Sequence, residues 1–113
     1  MGLDDRKAAK REALFGGRGA VRVWDLLGAR RAAPFTAALW CELDPGGSVG
    51  RHVQEQFPEL VIGIEGRGEA RVDDRICALG EGDAVHLPLG SVLAITNLSS
   101  EVPLRYLIVK AHG

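Results

Sequence analysis

The sequence predicts an all-β domain built as a sandwich or barrel. Three observations carry this. The longest patterned run, Phe35 to Leu43, alternates at a period of two, with Phe35, Ala37, Leu39, Cys41 and Leu43 on one side and Thr36, Ala38, Trp40 and Glu42 on the other. Turn formers are abundant, with 15 Gly and 5 Pro among 113 residues. Strand-like runs recur about every eight to twelve residues with no helical pattern between them. Apolar residues make up 46% of the chain, enough for one core in one domain.

Taken in order, the elements follow from their residues. Asp4 and Asp5 are placed to cap a short helix through RKAAKREALF. The apolar face of that segment is thin, so a mobile arm ending at Gly16-Gly17-Arg18-Gly19 is the equal alternative. A strand begins at Val21 and ends at Leu26-Leu27-Gly28; Ala29 to Pro34 is a basic connection. After the strand at 35–43, Asp44-Pro45-Gly46-Gly47 is a strong turn. Arg51 to Gln56 reads as a polar strand and Leu60 to Ile64 as an apolar one. Glu69–Val72, Ile76–Leu79, Asp83–Leu87, Val92–Thr96 and Leu104–Val109 complete the set. The turns Asp73-Asp74, Gly80-Glu81-Gly82 and Pro88-Leu89-Gly90 separate the middle strands.

Charge and composition narrow the function. Lys and Arg number 14 and Asp and Glu 15, for a net charge of −1. No field of one sign is available for nucleic acid or an anionic membrane, and neither is expected as a partner. The cluster Arg6, Lys7, Lys10, Arg11, Arg30 and Arg31 reads as a solvated face. No run approaches the roughly 18 apolar residues of a membrane span. Residues 1–15 are charged and lack the apolar stretch of a secretory signal, so a cytoplasmic location is expected. Cys41 and Cys77 are then reduced thiols facing the core. Two Cys and three His exclude disulfide scaffolds and zinc-finger arrays. The triplet Asn97-Leu98-Ser99 matches a glycosylation acceptor and reads as chance in that compartment.

One spacing is specific. Gly46 is followed after five residues by His52, after one by Gln54, after four by Glu59 and after six by Gly66. A second block sets Pro88 five residues after Gly82, then Gly90 after one, Leu93 after two and Asn97 after three. Together they resemble the two motifs of the cupin superfamily, and the short gap Arg67 to Glu81 is similar to that of small single-domain cupins. The resemblance runs from about Asp44 to Asn97. It implies a double-stranded β-helix, a small jelly-roll barrel over residues 21–113, preceded by an arm at 1–20. It also implies a homodimer, formed through the outer sheet or swapped N-terminal strands.

Physically, residues two apart in a strand share a face, so positions 52 and 54 aim into one cavity and Glu59 can face them. In the family, two further histidines stand where this chain has Gln54 and Leu93. A full His, His, Glu, His set holds a divalent metal with open positions for substrate or oxygen. Here His52 and Glu59 are the strong donors, Gln54 offers a neutral oxygen, and Leu93 offers nothing. Neither His86, expected to face outward while Leu87 and Leu93 face inward, nor His112, at the terminus, is expected to refill the set. A metal-free Glu59 inside a barrel needs a partner. Phe57-Pro58 is a packed turn or part of the pocket mouth. Trp24 and Trp40 are read as sheet or dimer packing rather than ligand stacking.

Three functions follow. The first is a binding module whose pocket, lined by His52, Gln54, Glu59 and Leu93, holds a small organic ligand such as a carboxylate or a sugar-like molecule. The second is a metal-dependent oxygenase or isomerase with a reduced site of His52, Gln54 and Glu59 holding Zn, Fe, Mn or Ni. The third is an interaction protein with an inert barrel. No nucleophilic triad, P-loop or dinucleotide fingerprint is present in the sequence.

Overall fold

The computed structural model describes residues 3–113. Ten strands form two antiparallel sheets facing each other. They are β1 (Ala9–Glu12), β2 (Ala20–Asp25), β3 (Phe35–Leu43), β4 (Ser48–Val53), β5 (Glu59–Glu65), β6 (Arg67–Val72), β7 (Arg75–Gly80), β8 (Ala84–Leu87), β9 (Val92–Asn97) and β10 (Leu104–Ala111). One sheet runs β1-β2-β3-β10-β5-β8 and the other β4-β9-β6-β7. This is the all-β jelly roll expected.

Alternation decides which side chains fill the space between the sheets. On β3, Cys41 and Leu43 are buried; on β10, Leu104 and Tyr106; on β9, Leu93 and Ile95. Each such Leu or Ile contributes about 1.5–3 kcal/mol by leaving water. Register ties these faces together: Tyr106 pairs with Cys41 on one side and Gly63 on the other, and Lys110 pairs with Glu59. The polar strand expected at Arg51–Gln56 lies instead at 48–53. Gln54 lies just past β4, where its backbone N–H donates to Ser91 O and its backbone carbonyl accepts from Gly90 N.

The motif turns are built as their residues suggest. Gly46 has φ +67° and Gly90 φ +87°, a region costly for any side chain. Asn97 is a structural clamp: its buried Nδ2 donates to the carbonyls of Asp44 (3.0 Å) and Val102 (2.9 Å), and its Oδ1 accepts from Ser99 N. The side chain of the Asn97-Leu98-Ser99 triplet is thus committed to the fold.

The N-terminal segment is neither the helix nor the loose arm considered from sequence. Asp4 does cap, accepting from Arg6 N at 3.0 Å, but the 3-10 turn it starts covers only Asp5–Lys7. Ala9–Glu12 then pairs with β2, all four residues exposed. With too little apolar surface to anchor a helix, the segment satisfies its backbone on the open edge of β2 instead. It also covers Trp24, which is buried and donates from Nε1 to Asp4 O at 3.0 Å. Trp40, its register partner, is half-buried. A second 3-10 turn, Leu14–Gly16, lies against β4. It fits because Gly50 has no side chain: a Cβ there would collide with the Phe15 carbonyl. Phe15 itself has φ +53°.

Candidate functional site

A cavity of about 170 Å³ lies between the sheets. Its walls are mostly aliphatic, from Val21, Leu39, Val49, Leu93, Ile95 and Ile108. His52, Glu59 and Lys110 supply polar groups. A second cavity of about 230 Å³ is lined by residues 53–57 together with Phe15, His52 and Lys110, which belong to both. The barrel therefore has an apolar inner chamber and a polar outer one, with these three side chains shared between them.

His52 is half-buried on β4. Its Nδ1 lies 2.9 Å from the Gly50 carbonyl. A carbonyl only accepts, so Nδ1 carries a proton and Nε2 is left free. Phe15 stacks on the ring, with centroids 4.1 Å apart and planes 12° from parallel. Across the ladder, the register partner of His52 is Leu93, which is fully buried.

Glu59 opens β5 with its side chain 2% exposed, and Lys110 Nζ stands 3.7 Å from its Oε2. Burial pushes the Glu59 carboxyl above its ordinary range, and the Lys110 ammonium partly offsets this. Lys110 is 34% exposed, so its charge remains in contact with water while the carboxylate does not. Deeper in the chamber, burial pushes the Cys41 thiol up to about 12. Burial likewise raises the Tyr106 hydroxyl well above its ordinary value, helped by the adjacent Cys41. Neither is a ready nucleophile at neutral pH.

Gln54 lines the outer chamber only. It is 5% exposed, and its side-chain amide nitrogen is buried with no hydrogen-bond partner among the described residues. The structure thus brings His52, Glu59 and Leu93 to the inner chamber, and His52 and Gln54 to the outer one. His86 is exposed on β8 and lies away from both. His112 is exposed, meets Phe57 edge-on at 5.5 Å and donates its backbone N to Pro34 O. Phe57 stands in the outer chamber wall.

Lys110, Tyr106 and Phe15 also stand in the site, although none belongs to the motif spacing. For the first two a signal existed: Leu104, Tyr106, Ile108 and Lys110 keep the period of two along β10. Phe15 left none, because its contact with His52 spans the turn and two strands.

The donors do not fit a transition-metal centre. One imidazole, one carboxylate held by Lys110 and one outlying amide fall short of three strong ligands. Among the described residues no group of three or more His, Cys, Asp or Glu is placed to hold a metal ion.

Comparison with known proteins agrees with the fold. The family model for the cupin domain matches residues 39–110. The structure is similar to a Thermotoga maritima protein described as a predicted oxalate decarboxylase, at 21% identity and TM-score 0.83, covering 100% of both chains. It is similar to a cupin 2 conserved barrel domain protein from Salinispora arenicola, at 25% identity and TM-score 0.77, covering 100% of this chain and 87% of that one. A Photorhabdus luminescens protein is 20% identical at TM-score 0.78, covering 98% and 85%. No curated protein sequence matches the chain.

Proposed function

The chain belongs to the cupin domain family, and from that premise we propose that its barrel binds a small organic molecule in the chamber lined by His52, Glu59 and Leu93, with Gln54 at the outer end. The observation that carries this is the mostly aliphatic, partly open cavity of about 170 Å³ with polar groups in its wall. Binding sites of this kind combine an apolar body with a few placed polar groups. Aliphatic walls favour a carboxylate with an apolar body over a sugar, whose many hydroxyls would lack partners. A cavity beside His52 also counts against an inert, plugged barrel. Metal-dependent chemistry has less support, since Leu93 faces His52 where a further ligand would stand.

Two further features belong to the proposal. Trp40, Leu107 and Ile62 are neighbours in register on the outward side of the six-stranded sheet, an apolar face that supports pairing of two copies. Both cysteines are free thiols, which supports a reducing, cytoplasmic setting.

The test is thermal unfolding of chelator-treated protein with a panel of small acids, alcohols and sugars, beside a Leu39→Phe variant that fills the chamber. A melting temperature raised by apolar acids, with the rise lost in the variant, supports the reading. Equal shifts in both proteins, or a shift that requires added metal, would overturn it.

A further inference from the structure

Resting on the small-molecule reading above, we propose that the ligand is a monocarboxylate with an apolar body about the size of one ring. The body occupies the inner chamber, and the carboxylate is received by Lys110 and Gln54.

Two donors stand without full use. The Gln54 side-chain amide nitrogen is buried and has no partner among the described residues, a state that costs about 1–3 kcal/mol and is uncommon without a reason. Lys110 Nζ pairs with Glu59 at 3.7 Å, and because an ammonium carries three N–H groups that one contact leaves donors over. Both residues line the outer chamber. Among the described residues lining the two chambers, Lys110 is the only Lys or Arg. An anion carried by the ligand therefore has one cation and one orphaned amide to meet it.

The inner chamber sets the rest of the molecule. Its volume is close to the roughly 150 Å³ of apolar cavities that take up benzene. The Phe15–His52 stack adds aromatic surface to the wall shared by both chambers. A second carboxylate on the ligand would meet Glu59 or Glu55 with Lys110 as the one cation among the described lining residues, so charge disfavours a dicarboxylate. A neutral molecule of the same shape would leave Lys110 and Gln54 as they are now.

The test is calorimetric titration with benzoate, benzyl alcohol, toluene and phthalate against the wild type, Lys110→Gln, Lys110→Arg and Gln54→Leu. Benzoate should bind the wild type most tightly. Lys110→Gln should weaken it by about tenfold or more and Lys110→Arg by less, as expected for loss or retention of a charge-assisted contact. Gln54→Leu should weaken benzoate but not toluene. If benzyl alcohol, toluene or phthalate binds as tightly as benzoate, or Lys110→Gln leaves benzoate unchanged, the carboxylate assignment is wrong while the small-molecule pocket stands. If none of the four probes binds while another member of the thermal-unfolding panel does, the one-ring carboxylate assignment is wrong and the pocket stands; if nothing in that panel binds either, the pocket reading fails together with it.

Discussion

His52 and Leu93 sit directly opposite each other on β4 and β9, an imidazole facing an isobutyl group across one ladder rung. In the family pattern the place of Leu93 belongs to a histidine. Here one aliphatic side chain turns that end of the barrel from a ligand set into part of an apolar wall.

If that substitution, with Gln54, is what removes metal affinity, restoring the imidazoles should bring it back. The double variant Gln54→His, Leu93→His is expected to retain about one Ni or Zn per chain by elemental analysis after dialysis, and the wild type far less. The variant should also be less stable by about 1–3 kcal/mol, since an imidazole replaces a buried Leu. Equal metal in both proteins would contradict this.

Glu59 should make stability depend on pH in a defined sense. Its carboxyl is held above the ordinary 4.5 by burial, so the folded chain binds that proton more tightly than the unfolded chain. Its contribution is therefore fully present below about pH 4.5 and declines as pH rises through the higher folded value. Urea unfolding across that window should show a fall for the wild type relative to Glu59→Gln, whose side chain does not titrate. Parallel curves would show that Glu59 is unperturbed.

Asn97 is expected to matter for stability and not for ligand affinity. Asn97→Leu strands the carbonyls of Asp44 and Val102, at a cost of about 2–4 kcal/mol in chemical denaturation. Unchanged stability would mean water replaces the amide.

The two cysteines should differ sharply in reactivity. Cys41 is buried with its thiol pushed up to about 12, so its thiolate fraction at mildly alkaline pH is about a thousandfold below that of an ordinary thiol. Cys77 is half-buried on β7. Mass-spectrometric mapping after brief alkylation should find the label on Cys77. Comparable labelling of Cys41 would show that the chamber opens readily.

Much of the barrel is legible in the sequence because alternation and turn chemistry are local. The period of two from Phe35 to Leu43 gives β3 with the same bounds, and Asp44-Pro45-Gly46-Gly47 gives the turn after it. What stays hidden depends on distant partners. Ala9–Glu12 is a strand only because the edge of β2 accepts it. Trp24 looks available for a partner until the segment around Asp4 covers it. The period of two puts Lys110 on the same face as Tyr106, but only the register opposite Glu59 shows which carboxylate it meets. His52, Gln54 and Glu59 are visible from spacing, but spacing does not show that Gln54 lines the outer chamber only.

The most direct measurement is the methyl NMR spectrum of chelator-treated protein titrated with benzoate. Shifts are expected in Leu39, Leu93, Ile95 and Ile108, which line the inner chamber, and none in Ile76, which is 64% exposed on β7. Unmoved chamber methyls at saturating benzoate, or shifts confined to the outer surface, would contradict binding in that chamber.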